Sequence, residues 1–252
     1  MLSELLPLEE KMCIALVGAG GKTTTMFRLA AEQVARGARV ITTTTTHIYP
    51  PEPEQTGALV LSPEREDLLE RASVALAKHP HITVASGPAH EGKLRGIPPE
   101  WVADLQALPG VHVVLVEADG AKGRIIKAPA SYEPVIPSSA QLVLLLASAE
   151  ALGQPLSDAI AHRLERVEAV TGLKAGQRIT PEALARLATE QEGLLKGVPP
   201  GVPTVLVLTH VEAERLERAE STTQHALAAG RLAGVVLCSL EWAQFRKPGA
   251  GA

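Results

Sequence analysis

Apolar residues in this chain gather in short unbroken runs, each closed by glycine, proline or charge. Met12 to Val17 is the first. A run that short, without alternation, reads as a strand buried on both faces. Gly18 to Gly21 interrupts it. Lys22 to Arg36 follows with Met26, Leu29, Ala30, Val34 and Ala35 as its apolar face, which predicts a helix stopping at Gly37. Further strands are predicted at Arg39 to Thr43, Ala58 to Leu61, Ile82 to Ala85, Val111 to Val116, Leu142 to Ala147, Thr204 to Leu208 and Gly234 to Cys238. Helices are predicted at Glu64 to Ala77, Pro98 to Leu108, Asp158 to Val170, Pro181 to Leu195 and Glu212 to Ala229. Glu117 to Ser139 reads as loop, and the tail from Arg246 to Ala252 as frayed. Alternating strands and helices imply an α/β fold with a mostly parallel sheet flanked by helices on both faces. A length of 252 residues suits one domain over residues 1–252, with a core at 12–147 and a C-terminal part at 148–252 that completes the sheet.

Composition narrows the function classes. The net charge of −4 lacks the basic footprint of a nucleic-acid binder, and 2% aromatic residues leave little for base stacking. Cys13 and Cys238 lie in separate apolar runs and read as reduced, buried hydrophobes. Met1 to Lys11 carries three glutamates and no basic lead, unlike a signal peptide. No apolar run approaches the roughly 18–20 residues of a membrane span. A cytoplasmic protein that binds neither membrane nor nucleic acid is expected.

The chemistry concentrates where the first strand meets the first helix. Gly18-Ala19-Gly20-Gly21-Lys22-Thr23-Thr24 has the strand–glycine–helix context of a phosphate-binding loop. Glycines let backbone amides turn toward an anion, and a helix N-terminus adds unpaired amides and a favourable dipole. Lys22 supplies a point charge for the β- and γ-phosphates, and Thr23 a hydroxyl for Mg²⁺. The fold expected is therefore P-loop NTPase-like. The commoner spacing would place its first glycine at position 16, which is Leu16, and the shorter form resembles the loop of Mur-type ligases.

Two further segments point toward this loop. Thr42 to Thr46 run past the end of the second predicted strand, where open parallel sheets bind ligands, so Thr44, Thr45 and Thr46 are candidates for contact with phosphate, Mg²⁺ or water. The strand Val111 to Val116 delivers Glu117 and, two residues on, Asp119. On a continuing strand both face one side, Asp119 holding Mg²⁺ with Thr23 and Glu117 orienting a water. Lys22, Glu117 and Asp119 are the catalytic candidates. Lys122, Arg124 and Lys127 follow at a spacing suited to an anion, and His47 is a weaker candidate for substrate contact.

Four segments together resemble the YqeC family of selenium-dependent hydroxylase accessory proteins: the glycine loop, Thr43 to Ile48 with Pro50, Gly92-Lys93-Leu94-Arg95-Gly96, and Val116 to Arg124 continuing through Lys127-Ala128-Pro129 to Glu133-Pro134-Val135-Ile136-Pro137. A weaker echo is Leu152-Gly153-Gln154-Pro155-Leu156 with His162-Arg163 after it. The resemblance implies a nucleotide-binding protein associated with maturation of selenium-dependent molybdenum hydroxylases. The partners expected are an anionic cofactor precursor, held by Lys122, Arg124 and Lys127, or a hydroxylase maturation protein. Thr209-His210-Val211-Glu212 stands where many GTPases carry Asn-Lys-x-Asp. The carboxylate is kept but Asn and Lys are absent, which favours ATP over GTP. The leading expectation is an Mg²⁺-dependent NTPase acting as such an accessory factor. The alternatives are a small-molecule kinase or Mur-like ligase, and a nucleotide-gated switch with little turnover.

Overall fold

The structure is a computed structural model, and it describes residues 1–9, 11–239 and 242–247. The chain runs β1 (Met12–Gly18), α1 (Lys22–Ala35), β2 (Val40–Thr44), β3 (His47–Ile48), β4 (Leu59–Leu61), α2 (Arg65–Lys78), β5 (His81–Ala85), β6 (Gly87–Pro88), β7 (Leu94–Arg95) and α3 (Trp101–Ala107). It continues through β8 (Val113–Glu117), β9 (Ile126–Lys127), β10 (Leu142–Ser148), β11 (Ala161–His162), α4 (Leu164–Thr171), α5 (Pro181–Thr189), β12 (Thr204–Thr209), α6 (Leu216–Ala228), β13 (Gly234–Cys238) and β14 (Ala243–Arg246).

Nine strands form one sheet in the order β14-β13-β12-β10-β1-β8-β2-β5-β4, so the C-terminal part extends the sheet begun by the first 147 residues. All pairs are parallel except β13 with β14. The unbroken apolar runs follow from this: β1, β8, β10 and β13 are buried at every position, as strands covered on both faces must be. Along β1 the side chains alternate. Cys13, Ala15 and Val17 pack into a core shared with buried residues of α2 to α6, whereas Met12, Ile14 and Leu16 pack with Met26, Leu29 and Ala30 of α1. The architecture is α/β with helices on both faces, consistent with a P-loop NTPase-like fold. Both cysteines are free and buried, and burial pushes the Cys13 thiol up to about 12 and Cys238 to about 11. Among the described residues no helix is long and apolar enough to cross a membrane.

Short ladders occupy stretches read from the sequence as loop or helix. β3, β7 and β6 form one, and β9 and β11 another. The helix expected over Asp158 to Val170 is corrected accordingly: Ala161 and His162 pair with Ile126 and Lys127, Arg163 turns left-handed at φ +64°, and α4 starts only at Leu164. The frayed tail expected after Arg246 lies outside the described residues from 248 onward. Parallel pairing brings Gly18, Glu117, Thr44, Ser148 and Thr209 to one end of the sheet, the carboxyl end, where such folds bind their ligands.

Candidate functional site

The loop after β1 requires its glycines. Gly18, Gly20 and Gly21 have φ of +100°, +82° and +114°. A Cβ on Gly18 would lie 2.2 Å from the Leu146 carbonyl oxygen, and one on Gly20 would lie 2.8 Å from that of Ile125. No other residue fits either place without moving the backbone. The Gly18 amide donates to the Asp119 carboxylate at 3.0 and 3.2 Å, and the Ala19 amide to Leu146 at 2.9 Å. α1 then opens with no capping side chain, and Thr25 makes the first helical bond, to Gly21 at 2.8 Å. The amides of Lys22, Thr23 and Thr24 precede that bond, so the bare start of α1 offers them to an anion.

Beside this start lies a continuous chain of charge, buried from Glu117 to Lys127 and half-buried at Glu133 and Arg163. The Lys22 ammonium donates to the Gly18 carbonyl at 2.7 Å and pairs with Asp119 at 3.2 Å and Glu117 at 3.7 Å. Burial opposes its charge, but the carboxylates of Asp119 and Glu117 outweigh this and hold its pKa above the ordinary lysine value. Thr23 donates its hydroxyl to Glu117 at 2.7 Å. Burial pushes the Glu117 carboxyl up, against Lys22 and Thr23, which both favour its charged form. Asp119 also meets Lys127 at 2.9 Å; Lys127 meets Glu133 at 2.7 Å; Glu133 holds Arg163 in a bidentate pair at 2.8 and 3.0 Å. Burial opposes the Glu133 charge, yet Arg163 and Lys127 hold its pKa below the usual carboxylate value. Three cations and three carboxylates thus alternate from Glu117 to Arg163.

The structure sorts the residues singled out from sequence. β8 ends at Glu117, so strand alternation does not bring Glu117 and Asp119 together. A turn does, fixed by the Ala118 amide on Leu16 at 2.9 Å and by the Asp119–Gly18 bonds. The acid beside Thr23 is Glu117, not Asp119, whose oxygens face Gly18, Lys22 and Lys127. Lys127, expected with Lys122 and Arg124 around an anion, is fully buried. Its ammonium meets Gly120, Glu133 and Asp119, which occupy its three protons. Arg124 donates to the Asp158 carbonyl, and Lys122 stays exposed at φ +47°.

The threonine hydroxyls turn mostly inward. Thr44 donates to the Glu117 carbonyl at 2.7 Å and Thr45 to that of Val135 at 2.7 Å, while Thr46 accepts from the His47 amide. They tie the ends of β2 and β8 to the loop around Val135. Gly92 to Gly96 belongs to the same clamp. The amides of Gly96 and Ile97 donate to Thr46 and Thr44 at 2.7 and 2.9 Å, and a Cβ on Gly96 would lie 2.5 Å from the Thr44 oxygen. His47 is exposed.

Other residues at this end were not singled out as site residues. Thr209 donates to the Gly20 carbonyl, and His210, left-handed at φ +54°, sits 3.2 Å from the Ser148 hydroxyl through Nδ1. The sequence marked these two only as a departure from a base-recognition motif. Glu133 and Arg163 stood inside the resembling segments without an assigned role.

The uncapped start of α1 and the Lys22 ammonium in the same loop supply the donors that a phosphate would need. Among the described residues no three His, Cys, Asp or Glu side chains cluster to hold a metal by themselves. The Thr23 hydroxyl and the Glu117 carboxylate are two oxygen donors of the kind that would hold Mg²⁺.

Comparison with known proteins agrees with the motifs. The chain matches the family model described as YqeC protein over residues 14–165. It is 35% identical over 188 residues to the Escherichia coli (strain K12) protein named "Uncharacterized protein YqeC", covering 75% of this chain and 72% of that one. The matched family segment spans β1 to the start of α4, and so includes the glycine loop, Glu117, Asp119 and the whole row of charge: the chain belongs to the YqeC family.

Proposed function

We propose that the protein binds a nucleoside triphosphate with Mg²⁺ on the Gly18–Thr24 loop and turns it over, ATP in preference to GTP. The observation that carries this reading is the uncapped start of α1 with Lys22 beside it, flanked by Thr23 on Glu117 at 2.7 Å. The bare amides and Lys22 take the β- and γ-phosphates. Thr23 and Glu117 hold Mg²⁺, which neutralises charge on the phosphate oxygens. Asp119 keeps the loop in shape through Gly18. Once Lys22 turns to the phosphates, its positive charge beside Glu117 is replaced by the metal, so nucleotide and Mg²⁺ favour each other's binding. The absence of Asn and Lys from Thr209 to Glu212 supports ATP over GTP. Family membership supports an accessory role in maturing a selenium- and molybdenum-dependent hydroxylase, with an anionic cofactor precursor or a maturation protein as partner. A second reading, a nucleotide-gated switch, draws support from the charge chain that links Lys22 to Glu133 and Arg163.

The test is a thermal-shift panel with ATP, ADP, GTP and CTP, with and without Mg²⁺, on wild type and Lys22→Ala. A nucleotide at a hundredfold excess over its Kd stabilises by about 2.7 kcal/mol, or roughly 5–10 °C in a chain of this size. The expected result is an Mg²⁺-dependent rise, largest with ATP and lost in Lys22→Ala. A folded wild type that shifts with no nucleotide overturns the reading.

A further inference from the structure

We propose that Lys122 and His162, with the Glu133-held Arg163 adding positive charge beside them, form a second subsite, beside the glycine loop, for an anionic co-substrate: a small molecule presenting a phosphate or carboxylate group. The inference rests on the nucleotide reading above, and it gives the anionic partner a location.

The placement comes from the small β9–β11 ladder. His162 stands in register with Lys127 on parallel strands, and side chains in register share a face. The Lys127 side chain on that face reaches Gly120 and Asp119, and Asp119 in turn holds Gly18 and Lys22. The face bearing His162 is therefore the one turned toward the nucleotide loop. The ladder also touches that loop directly. The carbonyl of Ile125, next to β9, accepts from Ser148 at 3.1 Å and, together with Ser148, leaves no room for a Cβ on Gly20.

The chemistry comes from what is left without a partner. The His162 ring is half-buried and makes no hydrogen bond to any described residue. Lys122 is exposed and has no carboxylate within ion-pair distance among the described residues. Lys127 and Arg163 add positive charge nearby, against Glu133, which both already hold, and Asp119 on Lys127. Burial, then the cations Arg163, Lys127 and Lys122, push His162 down to about 4, so its imidazole is neutral at neutral pH. A neutral ring offers one free N–H, and the cations around it favour an anion over a cation as the group it meets. Lys122 and Arg163 both hold left-handed backbone, at φ +47° and +64°, which non-glycine residues adopt at a cost and which gathers at functional sites. The three residues also separate the roles that composition alone ran together. Lys127 is consumed by internal carboxylates, whereas Lys122 and His162 are free to meet a ligand.

The test uses the full chain, ¹⁵N-labelled, with its glycine loop saturated by a non-hydrolysable ATP analogue and Mg²⁺. Histidine-ring ¹H–¹⁵N spectra report on His162, assigned by its disappearance in His162→Gln. Inorganic phosphate and malonate are titrated separately. The expected result is a saturable shift of the His162 ring with at least one probe, the stronger naming phosphate or carboxylate as the group recognised. Its midpoint should rise about tenfold in Lys122→Ala, as loss of one charged contact of ~1.4 kcal/mol predicts. A His162 ring unmoved by either probe up to ~50 mM, well beyond a millimolar Kd, overturns the proposal. So does a shift that is identical in Lys122→Ala. The same titration without nucleotide in Lys22→Ala separates the two readings. A His162 response retained there, in a protein whose wild type binds no nucleotide, removes the nucleotide reading and leaves the anion subsite standing.

Discussion

Replacing Lys127 with methionine tests whether this lysine braces the interior or serves a ligand. The side chain is fully buried, with acceptors at 2.6 Å (Gly120), 2.7 Å (Glu133) and 2.9 Å (Asp119). Methionine keeps most of the stem's volume, so little cavity forms, and the change isolates the charge. Asp119 then retains Lys22 at 3.2 Å and the Gly18 amide, and Glu133 retains Arg163, but two buried carboxylates have lost the cation they share. Breaking a buried pair from one side costs roughly 3–5 kcal/mol, because the charge left behind cannot return to water. In a chain of this length that lowers Tm by roughly 6–20 °C. Urea and thermal unfolding of wild type and Lys127→Met measure it directly. A cation kept for an external anion behaves in the opposite way, since removing it relieves unpaired charge and leaves stability unchanged or higher. A Tm within about 2 °C of wild type would therefore refute the bracing role, the expected drop being several times larger.

Glu117→Gln should cost little stability, within about 1 kcal/mol, because burial already disfavours the charged form and the amide can still accept from Thr23. It should nevertheless weaken the Mg²⁺-dependent part of nucleotide binding about tenfold or more, read by titrating Mg²⁺ at fixed ATP in calorimetry. An unchanged Mg²⁺ requirement would place the metal elsewhere. His81 is buried against the Thr42 hydroxyl at 3.0 Å, and burial pushes it down to about 4 from 6.5. The folded state therefore holds it neutral while the unfolded chain takes up a proton. Its contribution is fully present above pH 6.5 and is lost as pH falls toward 4, by up to about 3 kcal/mol. Urea melts across that window should show a steeper loss in wild type than in His81→Gln, and equal slopes would exclude His81 as the source.

The parts of the fold legible in the sequence are those the backbone alone dictates. β1, β10 and β13 fall within a residue of their predicted bounds, because strands covered on both faces must be apolar throughout and their ends must be polar or glycine. The glycine loop was legible for the same kind of reason. Positive φ at Gly18, Gly20 and Gly21 and the lack of room for a Cβ leave the sequence no other choice there. The two-residue ladders were not legible. β9 and β11 are too short to carry a period, so the helical pattern runs on through Ala161 and His162, whereas Arg163 delays the helix to Leu164.

Charge was legible as a set and illegible as a pairing. Lys22, Glu117, Asp119, Lys122, Arg124 and Lys127 stand out in the sequence, but spacing cannot say which lysine meets which acid. That depends on where Asp119 and Glu133 arrive once the sheet has formed. The structure divides the group. Lys127 closes an internal chain between Asp119 and Glu133, Arg124 fastens a loop, and Lys122 is left facing outward. The division gives the site its logic. Because Asp119 is shared by Lys22 and Lys127, any ligand that draws Lys22 away leaves Asp119 with Lys127 as its one cation beside the Gly18 amide, and the strength of that pair bears on Glu133, Arg163 and the β9–β11 ladder. An anion against His162 and a phosphate against Lys22 would then act on opposite ends of one alternating row of charges, and each would change the affinity for the other by the same factor.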